Sequence, residues 1–211
     1  MHFTLTDLVT DIVQNGTESG ASLVELLVNE TLDSAGKGEF RFVVKDNGKG
    51  MTSEEQKLAE DPFVSDGVKH SRRKVGLGIP FLIQTAETSG GGWKIDSRKQ
   101  PGTDVSTGTQ VSAWFDLGNI DTPPVGDVPG MVRTVLLFNG PSEMVIQRFR
   151  DSPEGRIGYE VKKTELIDAL GDLEDVQSLI LLDQYLRSLE EGSLEEGNGE
   201  NDEAPVKTGD L

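Results

Sequence analysis

The chain has no cysteine and only two histidines, His2 and His70. Without thiols there is no disulfide framework, thiolate zinc site, iron–sulfur ligation or cysteine nucleophile, and two histidines do not make a multi-histidine metal centre. Positive charge is also scarce. Twenty Lys and Arg stand against 37 Asp and Glu, a net charge of -17, which argues against attraction to nucleic acid or an anionic membrane. No stretch approaches the ~20 apolar residues of a membrane span, and the opening MHFTLTDLVTDIVQNG lacks the basic start of a secretory signal. A soluble, cytoplasmic protein with neither membrane nor nucleic-acid partner is expected. What is present is enough for folding: 35% apolar residues in 211 can build a core. Any chemistry must rest on Asp, Glu, Asn, Lys, Arg or a bound ligand.

The negative charge is uneven. From Glu190 onward eight acids face one base, Lys207, so this tail carries -7 and the rest -10. With almost nothing apolar between those acids, residues 190–211 read as a disordered tail. A second break, LGNIDTPPVGDVPG at 117–130, holds three prolines and three glycines that suppress helix and ladder alike. The expected organisation is therefore a main domain at 1–118, a linker at 119–130 and a small strand–helix appendage at 131–189. Periodicity predicts a helix from Thr4 to about Ser19, a hairpin of strands at 22–31 and 39–45, a short helix near Ser53 after a Thr52/Glu55 capping box, and an apolar helix at 79–88. WKIDS and TQVSAWFD read as two further strands, MVRTVLLFN and GRIGYEVKK as strands of the appendage, and 164–171 and 172–189 as its helices.

Four short segments carry possible chemistry. Asp11 and Asn15, four apart on one helix, share a face. A carboxylate there can activate water and an amide oxygen can ligate a hard cation such as Mg²⁺, although an ordinary solvated helix face gives the same spacing. In DNGKGM, 46–51, a carboxylate at a strand end is followed by glycines that allow close backbone approach, which suits acceptance from the exocyclic amino group of a flat base; ordinary turn chemistry is the other reading. GLGI, 76–79, precedes a helix, where free N–H groups and the dipole favour an anion. Between 67 and 86 lie Lys69, Arg72, Arg73, Lys74 and His70 with no acid, and a bound polyphosphate would account for such a window in so acidic a chain. The fourth, GTQV at 108–111, is a glycine turn entering a strand.

In this order the four segments resemble the boxes of the GHKL ATPase superfamily, which comprises gyrase B, heat-shock chaperones, histidine kinases and MutL. DIVQNGTESGAS is similar to the MutL form of the N-box, and DPFVSDGVKHSRRKVGLGIPFLIQTAETSGG looks like the phenylalanine and glycine boxes of histidine-kinase catalytic domains. The resemblance covers residues 4–116. It implies an α+β fold, a two-layer sandwich of the Bergerat type with a mixed, mostly antiparallel sheet. It further implies ATP and Mg²⁺ as ligands, with Asn15 on the metal and Asp11 where the family's water-activating Glu stands. Asp46 would accept from the adenine amino group, Gly48, Gly50 and Met51 would shape the slot, and Thr109 would support Asp46 through water. Gly76, Leu77 and Gly78 would hold phosphate through backbone N–H groups under a lid at 63–75 that includes Phe63.

Departures from the family bear on catalysis more than binding. Asp11 is one methylene shorter than the usual Glu, and Lys74 replaces the first glycine of the kinase glycine box, where its ammonium could reach phosphate. No phospho-acceptor hairpin fits ahead of residue 4. The implied activity is thus slow ATP hydrolysis or phosphorylation of a partner protein in the manner of anti-sigma-type kinases. The alternative is a nucleotide-sensing regulatory subunit whose lid switches partner binding; a MutL- or gyrase-like clamp ranks behind both. An apolar stripe through Leu173, Val176, Leu179, Ile180, Leu186 and Leu189 reads first as core and second as a homodimer contact.

Overall fold

The computed structural model describes residues 4–61, 78–99 and 107–191. Helix α1 (Leu5–Glu18) starts where Thr4 accepts from the Asp7 N–H and the Asp7 carboxylate accepts from the Thr4 N–H, a reciprocal cap. Its buried positions, Leu5, Leu8, Val9, Ile12, Val13 and Gly16, recur at the helical period. Strands β1 (Leu23–Leu32) and β2 (Gly38–Asp46) form the expected hairpin, pairing Val28 with Phe42 and Val24 with Asp46. Asp33 closes its turn by accepting from the Ala35 and Lys37 N–H groups, each at 2.8 Å. Helices α2 (Ser53–Glu60) and α3 (Gly78–Thr88) and strands β3 (Gly92–Arg98) and β4 (Gly108–Asp116) follow. The remaining elements are α4 (Val128–Leu136), β5 (Glu143–Ser152), β6 (Gly155–Lys162), α5 (Lys163–Leu170) and α6 (Val176–Glu191).

The strands make one sheet in the order β3-β4-β2-β1-β5-β6, antiparallel throughout except for the parallel β1–β5 pair. Alternation assigns its faces. Val24, Leu26, Val28, Phe40, Phe42, Val44, Ala113, Phe115, Met144 and Ile146 are buried on the side where the helices lie. Phe42 stacks on Phe115 at 6.3 Å, and burying each such ring contributes roughly 1.5–3 kcal/mol. The opposite face is set with cross-strand charge pairs such as Lys45–Glu25 at 2.8 Å, and with Trp114 of β4, over whose ring the Arg41 guanidinium lies at 5.0 Å. On neighbouring β3 the Trp93 indole N–H donates to Glu87 at 3.3 Å. This is the two-layer α+β architecture with a mixed, mostly antiparallel sheet.

Two elements differ from the sequence expectation. MVRTVLLFN, expected as a strand, lies largely in helix α4, with Pro129 in its first turn and Val128, Met131, Val132, Val135 and Leu136 buried on one side. Proline at the start of a helix costs no hydrogen bond, and that stripe packs against α1 and α6. Strand β5 has no counterpart among the expected elements, because its inward row ends in a charge, Arg148, that is 1% exposed. Helix α4 begins inside the segment expected as a linker, and the sheet continues past it: β5 pairs with β1 from Leu23↔Glu143 to Thr31↔Asp151.

Candidate functional site

Asp46 ends β2 on the helix side of the sheet and is 8% exposed. Its Oδ1 accepts from the Gly48 N–H at 2.8 Å and from the Ser19 hydroxyl at 3.1 Å. Burial pushes its pKa above the ordinary carboxylate value, against the opposing pull of the Gly48 N–H, the Ser19 hydroxyl and the Thr109 backbone. Asn47 points elsewhere and ties the turn to the start of β1: its Oδ1 accepts from the Ser22 and Leu23 N–H groups at 2.9 and 3.0 Å. The two glycines of DNGKGM are required by geometry. A Cβ on Gly48 would fall 1.8 Å from Ser19 Oγ, and Gly50, at φ +63°, would press one to 1.9 Å from the Arg98 carbonyl oxygen. Met51 is fixed by its N–H donating to Ser97 Oγ at 2.7 Å, and Ser97 Oγ lies 2.8 Å from Thr109 Oγ1.

Above this floor runs α1. Asn15, Gly16 and Ser19 face the same cavity as Asp46, Gly50, Met51 and Thr109, with Ile12, Val44, Ile79 and Val111 as apolar walls, and it encloses about 270 Å³. Glu18, Lys49 and Ala59 complete the lining. At one end Gly78, the first residue of α3, abuts the acid–amide pair: a Cβ there would lie 3.6 Å from Asn15 Nδ2 and 3.7 Å from Asp11 Oδ2. An apolar slot with one buried carboxylate at its floor can hold a flat heterocycle bearing an amino donor. A helix start beside an amide and a carboxylate can receive an anion with its counter-cation.

The structure therefore sets Asn15, Asp46, Gly50, Met51 and Thr109 around one cleft, with Gly48 bound to the Asp46 carboxylate and Gly78 beside Asn15 and Asp11. Lys74, Gly76, Leu77 and Phe63 lie outside the described residues. The Thr109 hydroxyl is engaged by Ser97, a partner the sequence did not point to, and Ser19 was missed as well. Ser19 was within reach of a sequence argument, since it sits one turn after Asn15 on the same face. Ser97 was not, because only the β3–β4 register sets it opposite Thr109. Among the described residues no group of three His, Cys, Asp or Glu side chains could hold a metal ion, and no helix is long and apolar enough to cross a membrane.

Fold and cleft together define an α+β protein with a ligand slot between a sheet and its first helix. Residues 2–119 match the family model described as histidine kinase-, DNA gyrase B-, and HSP90-like ATPase, and the chain belongs to that family. No curated protein matches it. Among solved structures it is similar to the N-terminal domain of a DNA repair protein, at 11% identity and a TM-score of 0.43 over 75% of this chain and 51% of that one. It is also similar to the mycobacterial sensor histidine kinase MprB, at 15% identity and a TM-score of 0.31 over 53% and 93%. The third is the Aquifex aeolicus MutL ATPase domain complexed with ADP, at 14% identity and a TM-score of 0.35 over 72% and 61%. The chain spans about half the length of the first of these.

Proposed function

We propose that the cleft binds ATP with Mg²⁺, and that the protein hydrolyses it slowly or passes its terminal phosphoryl group to a partner protein. The observation that carries this reading is Asp46: a buried carboxylate in the lining of the slot, packed against Gly16, whose Oδ1 is engaged by Gly48 and Ser19. In this reading Asp46 accepts from the adenine amino group, with Gly48, Gly50 and Met51 shaping the slot and Thr109 bracing its floor through Ser97.

The donor set suits Mg²⁺, which takes one or two protein oxygens and completes its shell with water and substrate phosphates. Asn15, exposed on the rim, would hold it, and the ion would neutralise phosphate charge. Gly78, and with it Lys74, Gly76 and Leu77, would receive the phosphates. Asp11 would orient the attacking water or hydroxyl and take its proton as the bond from the terminal phosphorus to ADP breaks. A carboxylate one methylene short falls about 1 Å from the family's position, a misplacement that costs about a hundredfold in rate. Feeble turnover is the expected result, and it is also what supports the second reading, a nucleotide sensor that signals to a partner without useful turnover.

Calorimetric titration with ATP and ADP, with and without Mg²⁺, tests binding. Micromolar to sub-millimolar affinity is expected, weakened at least about tenfold (~1.4 kcal/mol) by Asp46→Asn. Equal affinity in that variant removes the adenine assignment. Asp11→Asn should leave affinity intact and abolish phosphate release; wild-type protein that binds but neither releases nor transfers phosphate leaves the sensor reading standing.

A further inference from the structure

The sheet has two edges, and they are finished differently. On β3 the Gln56 side chain of α2 donates to the Ile95 carbonyl at 3.2 Å, so a helix reaches over that edge. β6 pairs with β5, and among the described residues no further strand lies beyond it. The hairpin turn at Pro153 and Glu154 is closed by Ser152 opposite Gly155. Alternation from that pair directs the N–H and C=O groups of Arg156, Gly158 and Glu160 outward, away from β5. Such a row is a template for another strand. At its middle Gly158 presents no side chain. The Phe149 ring, 48% exposed on β5, leans over it, so that a Cβ there would meet Cδ1 at 3.3 Å.

We infer that this edge pairs with the same edge of a second copy, antiparallel about a two-fold axis at Gly158, joining the two sheets into one. The charges of the strand are complementary to themselves in that register: Arg156 comes opposite Glu160 of the other copy, twice, and Glu154 opposite Lys162. Moving the axis one residue to Tyr159 sets Arg156 against Lys162, moving it to Ile157 sets Glu154 against Glu160, and a parallel pair in register sets Arg156 on Arg156; like charges directly opposite destabilise a ladder. Within its own chain Arg156, 83% exposed at its side chain, meets Asp151 through Nε and Nη2, and Glu160 accepts from Gln147 at 2.7 Å. Asp151 and Gln147 both stand on β5, so these contacts come from the side away from the edge. The hairpin is also the part of this acidic chain that is not acidic: from 145 to 163 five bases stand with three acids. Three strand spacings, roughly 14 Å, separate the two Phe149 Cα atoms in the pair. Two rings leaning toward each other close that gap and cover apolar surface above the paired glycines.

The test uses the full chain and needs no nucleotide. Light scattering during gel filtration, from about 1 to 100 μM, should show a mass rising toward twice 22.9 kDa. Arg156→Glu and Glu160→Arg, each alone, set like charges opposite at two places in the pair and should weaken association at least about tenfold, with unchanged circular dichroism. Mixed in equal amounts, the two variants restore opposite charges at both places and should recover the wild-type affinity. A wild type that stays monomeric throughout, single variants that dimerise as tightly as wild type, or a mixture that does not recover, overturns the proposal. Register is read from cysteine cross-linking, free of background because the chain has no cysteine. Arg156→Cys should link to Glu160→Cys and not to itself. Efficient self-linking of Arg156→Cys would show a parallel pair and refute the antiparallel arrangement.

Discussion

The cleft half of the molecule and the half after Gly118 each bury charge, and they treat it in opposite ways. Around Arg148 everything is matched: its guanidinium meets Glu30 of β1 and Glu190 of α6, donates to the Phe149 carbonyl at 3.1 Å, and Glu190 accepts from the Tyr159 hydroxyl at 2.9 Å. Burial and the Glu190 carboxylate hold the Tyr159 phenol far above its ordinary pKa, so it remains a donor. Among the described residues Asp46 has no counter-cation as a hydrogen-bond partner, and its pKa is raised. A saturated buried ion network knits strands and helix together. A buried acid with acceptor capacity to spare, at the floor of a slot, costs stability and is intelligible as a place kept for a ligand's donor.

The comparison can be broken most severely by removing one side of it. Cutting the chain after Gly118 strips β5 from β1 and α4 from α1, leaving the nine-residue parallel register of β1 unpaired. The expected outcome is loss of any cooperative melt in far-ultraviolet circular dichroism, or aggregation; a folded, monomeric fragment would show that the family-matched region stands alone. Next in size is Arg148→Met, which leaves Glu30 and Glu190 buried without a cation. It should cost about 3–5 kcal/mol in urea unfolding, while nucleotide affinity of the folded protein stays as it was. Ser97→Ala is smaller. Releasing the Met51 N–H and the Thr109 hydroxyl should cost about 1 kcal/mol and weaken nucleotide binding severalfold, which calorimetry would show.

The finest contrast is in pH. Asp46 has a folded-state pKa above its unfolded value, so its contribution to stability is present in acid and is lost as pH rises through the folded pKa. Glu143, where β5 meets α5, behaves oppositely. Burial pushes its pKa up but is outweighed by the Thr164 hydroxyl and N–H and the Met144 N–H. Its contribution is present above the unfolded pKa and is lost as pH falls through the lowered one. Melting temperatures followed from neutrality down through the carboxylate range should therefore fall more steeply in Asp46→Asn than in wild type, and less steeply in Glu143→Gln. Parallel curves for all three would refute the contrast.

What the sequence disclosed follows the range of the interactions. Helix α1 and the DNGKGM turn were legible because a cap, an apolar period and required glycines are local properties. Asp46 and Asn15 could be singled out for the same reason. Ser97 could not, since its role exists only through strand register. MVRTVLLFN misled because β-branched residues suit a strand, whereas burial of one side between α1 and α6 decided for helix. Arg148 hid β5 by placing a charge where alternation asks for an apolar residue, and its partners Glu30 and Glu190 are distant in the chain. The join between β1 and β5 was invisible for the same reason: it spans residues on either side of a proline-rich stretch that reads as a boundary.

Both tryptophans of this chain, Trp93 and Trp114, stand on the strands of the cleft half, and both tyrosines, Tyr159 and Tyr185, belong to the elements beyond Gly118. Nature has thus supplied separate optical reporters. Indole emission follows one portion and phenol absorbance the other, so a single label-free thermal scan can tell whether the two portions come apart together or in turn.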